Sequence, residues 1–505
     1  MTANEKLQEI ELLAQKRKQE ILTAKSQYPT DRVTFYVDDK GGKDTNDGLS
    51  PETAWKTIEK VAVSDIPSGA VVLFKRGGLW RGSMTMVDGV TYSAYGEGDK
   101  PKIYGSIDAA NPDDWFETQV KNVWRYKPKV SYVKDVGAII FDEGRLWGIK
   151  VCTNQSEGVR CDGLHDVFNG RTTISRARVP FRDYRDLKND LEFFHNPSDE
   201  QVYLYCEDGN PGEVFNSIEL NIRRSILHKG NNITVDNICL KYVGIHGIGH
   251  KGQNVAFTNC EIGWIGGSSQ FTENLHFRKD HPFKNQDVVR LGNGIEVYGG
   301  CKNYTIENCY IYQNYDCAVT AQYGGHRTQD IIMENINWKN NLFDMNHYAF
   351  ELWLCVNSAD DGVRVEMNNA DVSGNIIINS GSGWSHQRPD VVSMAICSFS
   401  SKNNLCKVNN VSFHDNIFAG NRGAILHGSM FFEGNEMKFE KNTIVLHRGA
   451  YIINRAENMF GGELGVRIEV SEENVEKIRN AGYLTDSEIY ISDVTPTIEG
   501  PTVKI

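Results

Sequence analysis

The chain has 505 residues, a formal net charge of -12 and eleven cysteines. The acidic balance argues against a nucleic-acid surface and supplies no basic run for anionic lipid, and no apolar stretch is long enough to span a membrane. Length alone allows several domains, but 47 glycines and many asparagines suit a fold dominated by tight turns, and a solenoid absorbs such length as one unit.

Residues 1–30 read as an N-terminal helix. Ile10, Leu12, Leu13, Ile21 and Leu22 form an apolar stripe among Glu, Lys and Gln. No continuous apolar h-region is present, so this is not a signal peptide. The helix is expected to dock on the first coil; the alternative is an interaction helix for a separate partner subunit, and a homo-oligomer is equally open. The cysteines show no CxxC spacing and no Cys/His ligand cluster, so no metal site and no cofactor are expected. Cys239, Cys260, Cys309 and Cys317 read as small buried hydrophobes in a reducing compartment. That places the chain in the cytoplasm, or outside the cell if a leader was removed.

Residues 31–105 read as a cap over the first coil, with a strand at 33–37, a short helix from Pro51 to Val63 and a buried strand at 70–74. Covering a terminal coil stops edge-to-edge stacking. Residues 106–226 lose the repeat and alternate β pattern (136–141, 202–206, 217–222) with polar loops. They are expected to form a β-rich excursion packed on the coil, as one wall of a cleft.

Residues 227–455 carry the repeat that organises the chain. Ile233-x-Val235-x-Asn237, Val255-x-Phe257-x-Asn259 and Tyr304-x-Ile306-x-Asn308 share one pattern. Segments ending at Asn341, Asn375, Asn416 and Asn442 carry a variant one residue longer. Self-similarity at a fixed register marks a solenoid, and alternating apolar residues put one face of each short strand inside. Asn at the bend tolerates left-handed backbone. A small–apolar pair recurs after each bend: Gly247-Ile248, Gly294-Ile295, Ala318-Val319, Ala349-Phe350, Gly383-Trp384, Ala424-Ile425 and Ala450-Tyr451. The fold class predicted is all-β, a right-handed parallel β-helix. A loop insertion at 268–291 interrupts it, and residues 456–505 form a C-terminal cap with a helix from Ser471 to Gly482 and a strand at 488–492.

The same columns predict outward side chains. One reads Gly249, Glu296, Thr320, Glu351, Ser385; another Lys251, Tyr298, Gln322, Trp353, Gln387; a third Asp316, His347, Gly381, Arg422. Glu296, Asp316 and Glu351 are therefore the candidate catalytic carboxyls, with Tyr298, Gln322, His347, Trp353 and Arg422 around them as candidate sugar contacts. Two carboxyl groups supply acid and base, or acid and nucleophile, while aromatic rings and amides hold a sugar. Glu296 and Glu351 fall two rungs apart, roughly 9–10 Å between backbones at strand spacing, which leans toward inversion. Each of these residues also has a plainer role as solvated surface or as a ladder that stabilises the sheet. His386 and His427 fall at nominally inward positions and suit buried, satisfied histidines as well as substrate contacts. Trp264 is either core or a wall of the site under the insertion.

The stretch Phe35-Tyr36-Val37, the run Asp47 to Lys56 and the Gly-Gly-x-Trp-Arg block ending at Arg81 resemble the opening of bacterial right-handed β-helix carbohydrate-active proteins, the pectate-lyase-like superfamily. That resemblance implies an oligosaccharide or glycan substrate and, with the coils, covers most of residues 33–455. Within it, Cys260 to Gly267, Gly292 to Glu296 and Ile311 to Asp316 are similar to the lacto-N-biosidase-type glycoside hydrolases. Those enzymes use two closely spaced aspartates; the nearest spacing match here is Asp280 and Asp287. Three readings stay open: a glycoside hydrolase, a polysaccharide lyase (disfavoured by an expected acidic cleft that would repel uronate) and a non-catalytic glycan-binding solenoid.

Overall fold

A computed structural model describes residues 1–154, 158–160, 164–168, 171–175, 179–270, 290–388, 393–400, 405–428, 435–456, 466–497 and 500–501. Three ten-stranded sheets wind around one core, each built from one strand per coil. The chain passes through them in turn, as in Ile233–Asp236, Cys239–Val243 and Ile248–Gly249. Neighbouring coils pair in parallel and in register, for example Val255 with Tyr304 and Phe257 with Ile306. The alternation read from the sequence is the burial alternation: Val255 and Phe257 are buried, Ala256 and Thr258 half-buried. The interior is aromatic and aliphatic, with the Trp338 and Phe350 rings stacked 5.8 Å apart. This is the parallel β-helix expected.

The two forms of the asparagine bend have one cause. The left-handed position is occupied by Asn237, Asn259, Asn308 and then Asn340, Gly374, Asp415 and Lys441. In the first three coils the motif asparagine itself takes positive φ. In the later four the residue before it does, and the motif asparagine moves inside. There Asn341, Asn375, Asn416 and Asn442 are all buried. Each backbone N–H donates to the side-chain oxygen of the next: Asn341 to Asn375 (2.9 Å), Asn375 to Asn416 (3.0 Å), Asn416 to Asn442 (2.9 Å). Cys309 starts this column, its N–H donating to Asn341 Oδ1. The side-chain amides meanwhile satisfy carbonyls of the preceding coil, such as Ile306 and Trp338. A ladder of amides thus solves the backbone hydrogen bonding at a buried corner.

The N-terminal helix α1 (Ala3–Leu22) does not sit on the first coil. It runs across the second sheet, where Ile10, Ala14 and Ile21 pack on Tyr310, Leu342, Ile376, Ala419 and Val445 from successive coils. The reason is the sheet's outer face: an apolar column spanning these coils has to be covered. Arg17 Nη1 donates to Asn340 O, and Asn237 Nδ2 to Ala24 O just beyond the helix. The first cap has a 3-10 turn at Pro51–Thr53 and a separate helix α2 (Ile58–Val63) instead of one continuous helix. Trp55, Ile58 and Val61 close the core there. At the other end, helix α3 (Glu472–Asn480), capped by Ser471, brings Val475 and Ile478 into the same core.

Residues 106–226 do leave the coil. They form antiparallel sheets around their own apolar cluster, including Phe141, Phe193, Leu204 and Leu220. The seam with the coil is both apolar, with Ala138, Ile140 and Trp147 clustered with Tyr242, Trp264 and Tyr315, and polar: Ser268 Oγ donates to Asp135 O, Ser269 N to Asp135 Oδ2, and Arg290 Nη2 to Gly137 O.

Candidate active site

The third sheet carries the candidate site. Its strands pair Glu296 with Thr320 and Thr320 with Glu351, so both glutamates lie on one outward column two coils apart. Tyr298, Gln322 and Trp353 follow as the parallel column two residues on. Asp316 stands just before the strand Cys317–Arg327 on the intervening coil. Glu296, Asp316, Glu351, Gln322 and Tyr298 line a single cleft of about 850 Å³.

The three carboxyls have different surroundings. Glu296 accepts hydrogen bonds from both side-chain amides beside it, from Asn293 Nδ2 and from Gln322 Nε2 at 2.8 and 3.0 Å. His246 Nδ1 lies 3.9 Å from Glu296 Oε2. That nitrogen is within 3.3 Å of the Asn293 N–H, which donates to it. Asp316 is ion-paired with Arg388. Glu351 is buried, and its Oε2 has no hydrogen-bond partner among the described residues. Burial, and then the negative charges of Asp316 and Glu296, push its carboxyl well above the usual carboxylate range. Desolvation and like charge both favour the neutral form. The column therefore places a carboxyl pushed toward its neutral form at one end and a carboxyl held by two side-chain amides at the other.

Tyr298 is 49% exposed, with its ring 4.9 Å from that of Tyr323. An exposed aromatic on the floor of a polar cleft suits stacking on a sugar face. Several other expected contacts are not in the cleft. Trp264 is buried in the seam between coil and excursion, against Trp147 at 5.6 Å and beside Gly144. Trp353 is half-buried on the outer face of the third sheet, against an apolar cluster that includes Cys397. His347 is buried with its ring on Tyr348. Arg422 is half-buried and does not line the cleft. Asp280 and Asp287 lie outside the described residues.

The column reading fails in one coil and shifts in the next two. After Asn375 the inward residue is Ile396 of Met394–Ser400, not Trp384. Gly383-Trp384 imitates the small–apolar pair, but Ala395-Ile396 is the pair that enters the core. Residues Trp384–Gln387 instead form a 3-10 turn outside the coil. Trp384 packs there with Trp147, Trp264 and Tyr315, and Gln387 donates to Gly148 O. His386 is accordingly not inward on a coil; it is buried on this turn, and burial lowers its pKa to about 4. In the next two coils Leu426 and Ile453 pair with the inward column, so His427 lies outward, next to Cys397 and beyond Glu351. It is buried and off the cleft.

The sequence columns missed the cleft's cations. Arg223, Lys229, Lys251, Arg290 and Arg388 line it together with only three carboxyl groups. The expectation of an acidic cleft is therefore wrong. Lys251 stood in an outward column, but Arg223 and Arg388 arrive from excursions that have no repeat, and Arg290 from the end of the insertion.

No protein-family model matches the chain. No curated protein matches it either. Among solved structures it is similar to a GH136 lacto-N-biosidase from Eubacterium ramulus, at 12% identity over 91% of this chain and 68% of that one, with a TM-score of 0.38. It is also similar to a protein described as a glycoside hydrolase (8% identity, 92% and 97% covered, TM-score 0.37). An alginate lyase from Paenibacillus sp. str. FPU-7 matches at 9% identity, with 89% and 97% covered and a TM-score of 0.29. Likeness this distant says nothing about the reaction.

Proposed function

We propose that this protein is a glycoside hydrolase that cleaves an oligosaccharide on the outer face of the third sheet. One observation carries the reading: Glu351 and Glu296 share a column and a cleft but have opposite surroundings. Glu351, buried and neutral, is the general acid that protonates the leaving oxygen. Glu296, held by Asn293 and Gln322, is the carboxylate that activates water or attacks the anomeric carbon. Asp316, fixed by Arg388, keeps a negative charge near Glu351 and so keeps its proton on. Tyr298 stacks on the sugar. Backbones two coils apart are separated by roughly 9–10 Å, which favours an inverting reaction with water between the carboxyls.

A polysaccharide lyase is the second reading, favoured by the cations of the cleft, which would neutralise a uronate. The test is NMR of the first products from a panel of neutral and acidic oligosaccharides. The expected product is a new reducing end of inverted configuration. Retained configuration would move the partner of Glu351 to a nearer carboxyl, Asp316. An unsaturated product absorbing in the ultraviolet would replace hydrolysis by elimination.

A further inference from the structure

The described lining of the cleft carries three carboxyls and five cations. Asp316 is ion-paired with Arg388, and burial pushes Glu351 toward its neutral form, which leaves Glu296 as the one carboxyl of the described lining with neither feature. Four cations remain: Arg223, Lys229, Lys251 and Arg290. None of the four forms an ion pair with a described residue.

These cations are placed by structure as well as by sequence. Lys229 and Lys251 follow the strands Leu227–His228 and Ile248–Gly249, the two that precede Glu296 in the sheet. At strand spacing they stand one and two coils from Glu296, roughly 5–10 Å along the axis. Arg223 and Arg290 enter before the strands, from the opposite edge. Arg223 Nε and Nη2 donate to Ser269 O and Gln270 O. Arg290 is only 5% exposed, its guanidinium lies 4.2 Å over the Tyr315 ring, and two of its nitrogens donate to Gly267 O and Gly137 O. Its Nη1 is buried with no hydrogen-bond partner. A buried guanidinium that is fixed in place but short of an acceptor is costly unless an anion completes it.

We propose that the glycan bound here carries a carboxylate or sulfate on the sugar beside the reacting unit, received between Arg223 and Arg290 on one edge and Lys229 and Lys251 on the other. This rests on the cleft being a glycan site, as proposed above. Because uronate and sulfate share the chemistry, two matched pairs of probes separate them. One pair is a glucuronate-bearing oligosaccharide and its carboxyl-reduced counterpart; the other is a sulfated galacto-oligosaccharide and its desulfated counterpart. Binding to the full chain carrying Glu351→Gln is measured by calorimetric titration, and cleavage by the wild type in parallel.

The anionic member of one pair is expected to bind about tenfold tighter than its neutral counterpart, and that advantage should shrink as salt is raised. The double variant Lys229→Gln/Lys251→Gln changes two exposed side chains and should fold normally; it should lose most of the preference. Equal affinity for charged and neutral members, a preference indifferent to salt, or no binding in either pair would overturn the proposal. Anionic binding without cleavage by the wild type would leave it standing and overturn hydrolysis. Hydrolysis of neutral members with no charge preference would do the reverse.

Discussion

Replacing Glu351 by Gln is expected to lower kcat by roughly 10²–10⁴ on an oligosaccharide, the usual worth of a positioned general acid. The loss should depend on the leaving group. A natural sugar alkoxide needs the proton, whereas an activated aryl glycoside leaves without it and should be cleaved almost as well by the variant. In the wild type the rate should fall as pH rises through the raised pKa of Glu351. That alkaline limb should vanish in Glu351→Gln with the aryl substrate. The variant also has a signature in stability. The folded protein holds this proton above the pH at which the unfolded chain releases it, so the unfolded state binds fewer protons there. Wild-type stability is then full below the unfolded carboxyl value and declines as pH rises toward the folded one. Glutamine has no such decline, so Glu351→Gln should gain in Tm over the wild type between acidic and neutral pH. A loss of activity accompanied by a fall in Tm at neutral pH would point to simple structural damage instead.

Glu296→Gln should cost a similar roughly 10²–10⁴ in kcat, but with a different pattern. Glutamine neither attacks an anomeric carbon nor takes a proton from water, so oligosaccharide and aryl glycoside should lose activity alike. Geometry should change little. Asn293 and Gln322 surround this position with amides; a glutamine keeps its oxygen toward one of them, and its NH₂ faces the other, whose own amide can turn to present its oxygen. Substrate affinity is therefore expected to survive in the variant, and the effect should fall on kcat more than on KM. Retention of full activity on both substrates would remove Glu296 from the reaction and leave Asp316 as the partner of Glu351.

The coils were legible because their rule is local. A strand with period two, a left-handed bend and a small–apolar pair repeat on a length the eye can align, and that aligned Glu296, Thr320 and Glu351 correctly. The rule failed where chemistry of the same kind occurs off the coil. Gly383-Trp384 satisfies the local pattern, but Trp384 is recruited by Trp147, Trp264 and Tyr315, residues far away in sequence. The inward column slips by one residue, from Ile425 to Leu426, and by two in the next coil, from Tyr451 to Ile453, because both runs stay apolar past the small-residue marker. The sign of the cleft was illegible for a similar reason. Net charge is a whole-chain sum, whereas Arg223, Arg290 and Arg388 reach one place from three irregular segments. The bend asparagines were seen, but that four of them turn inward to form a hydrogen-bonded ladder depends on register between coils, which a single coil does not display.

The most direct measurement needs no substrate. The side-chain carboxyl carbons of glutamate are isotopically labelled and titrated by NMR in the wild type, in Glu351→Gln and in Asp316→Asn. One glutamate should keep its proton well above the ordinary carboxyl range in the wild type, and its signal should be missing from Glu351→Gln. In Asp316→Asn it should titrate at lower pH, because removing a neighbouring negative charge and freeing Arg388 both favour the ionised form. If every glutamate titrates in the ordinary range, Glu351 is not a neutral acid at working pH, and the division of labour between Glu351 and Glu296 is contradicted.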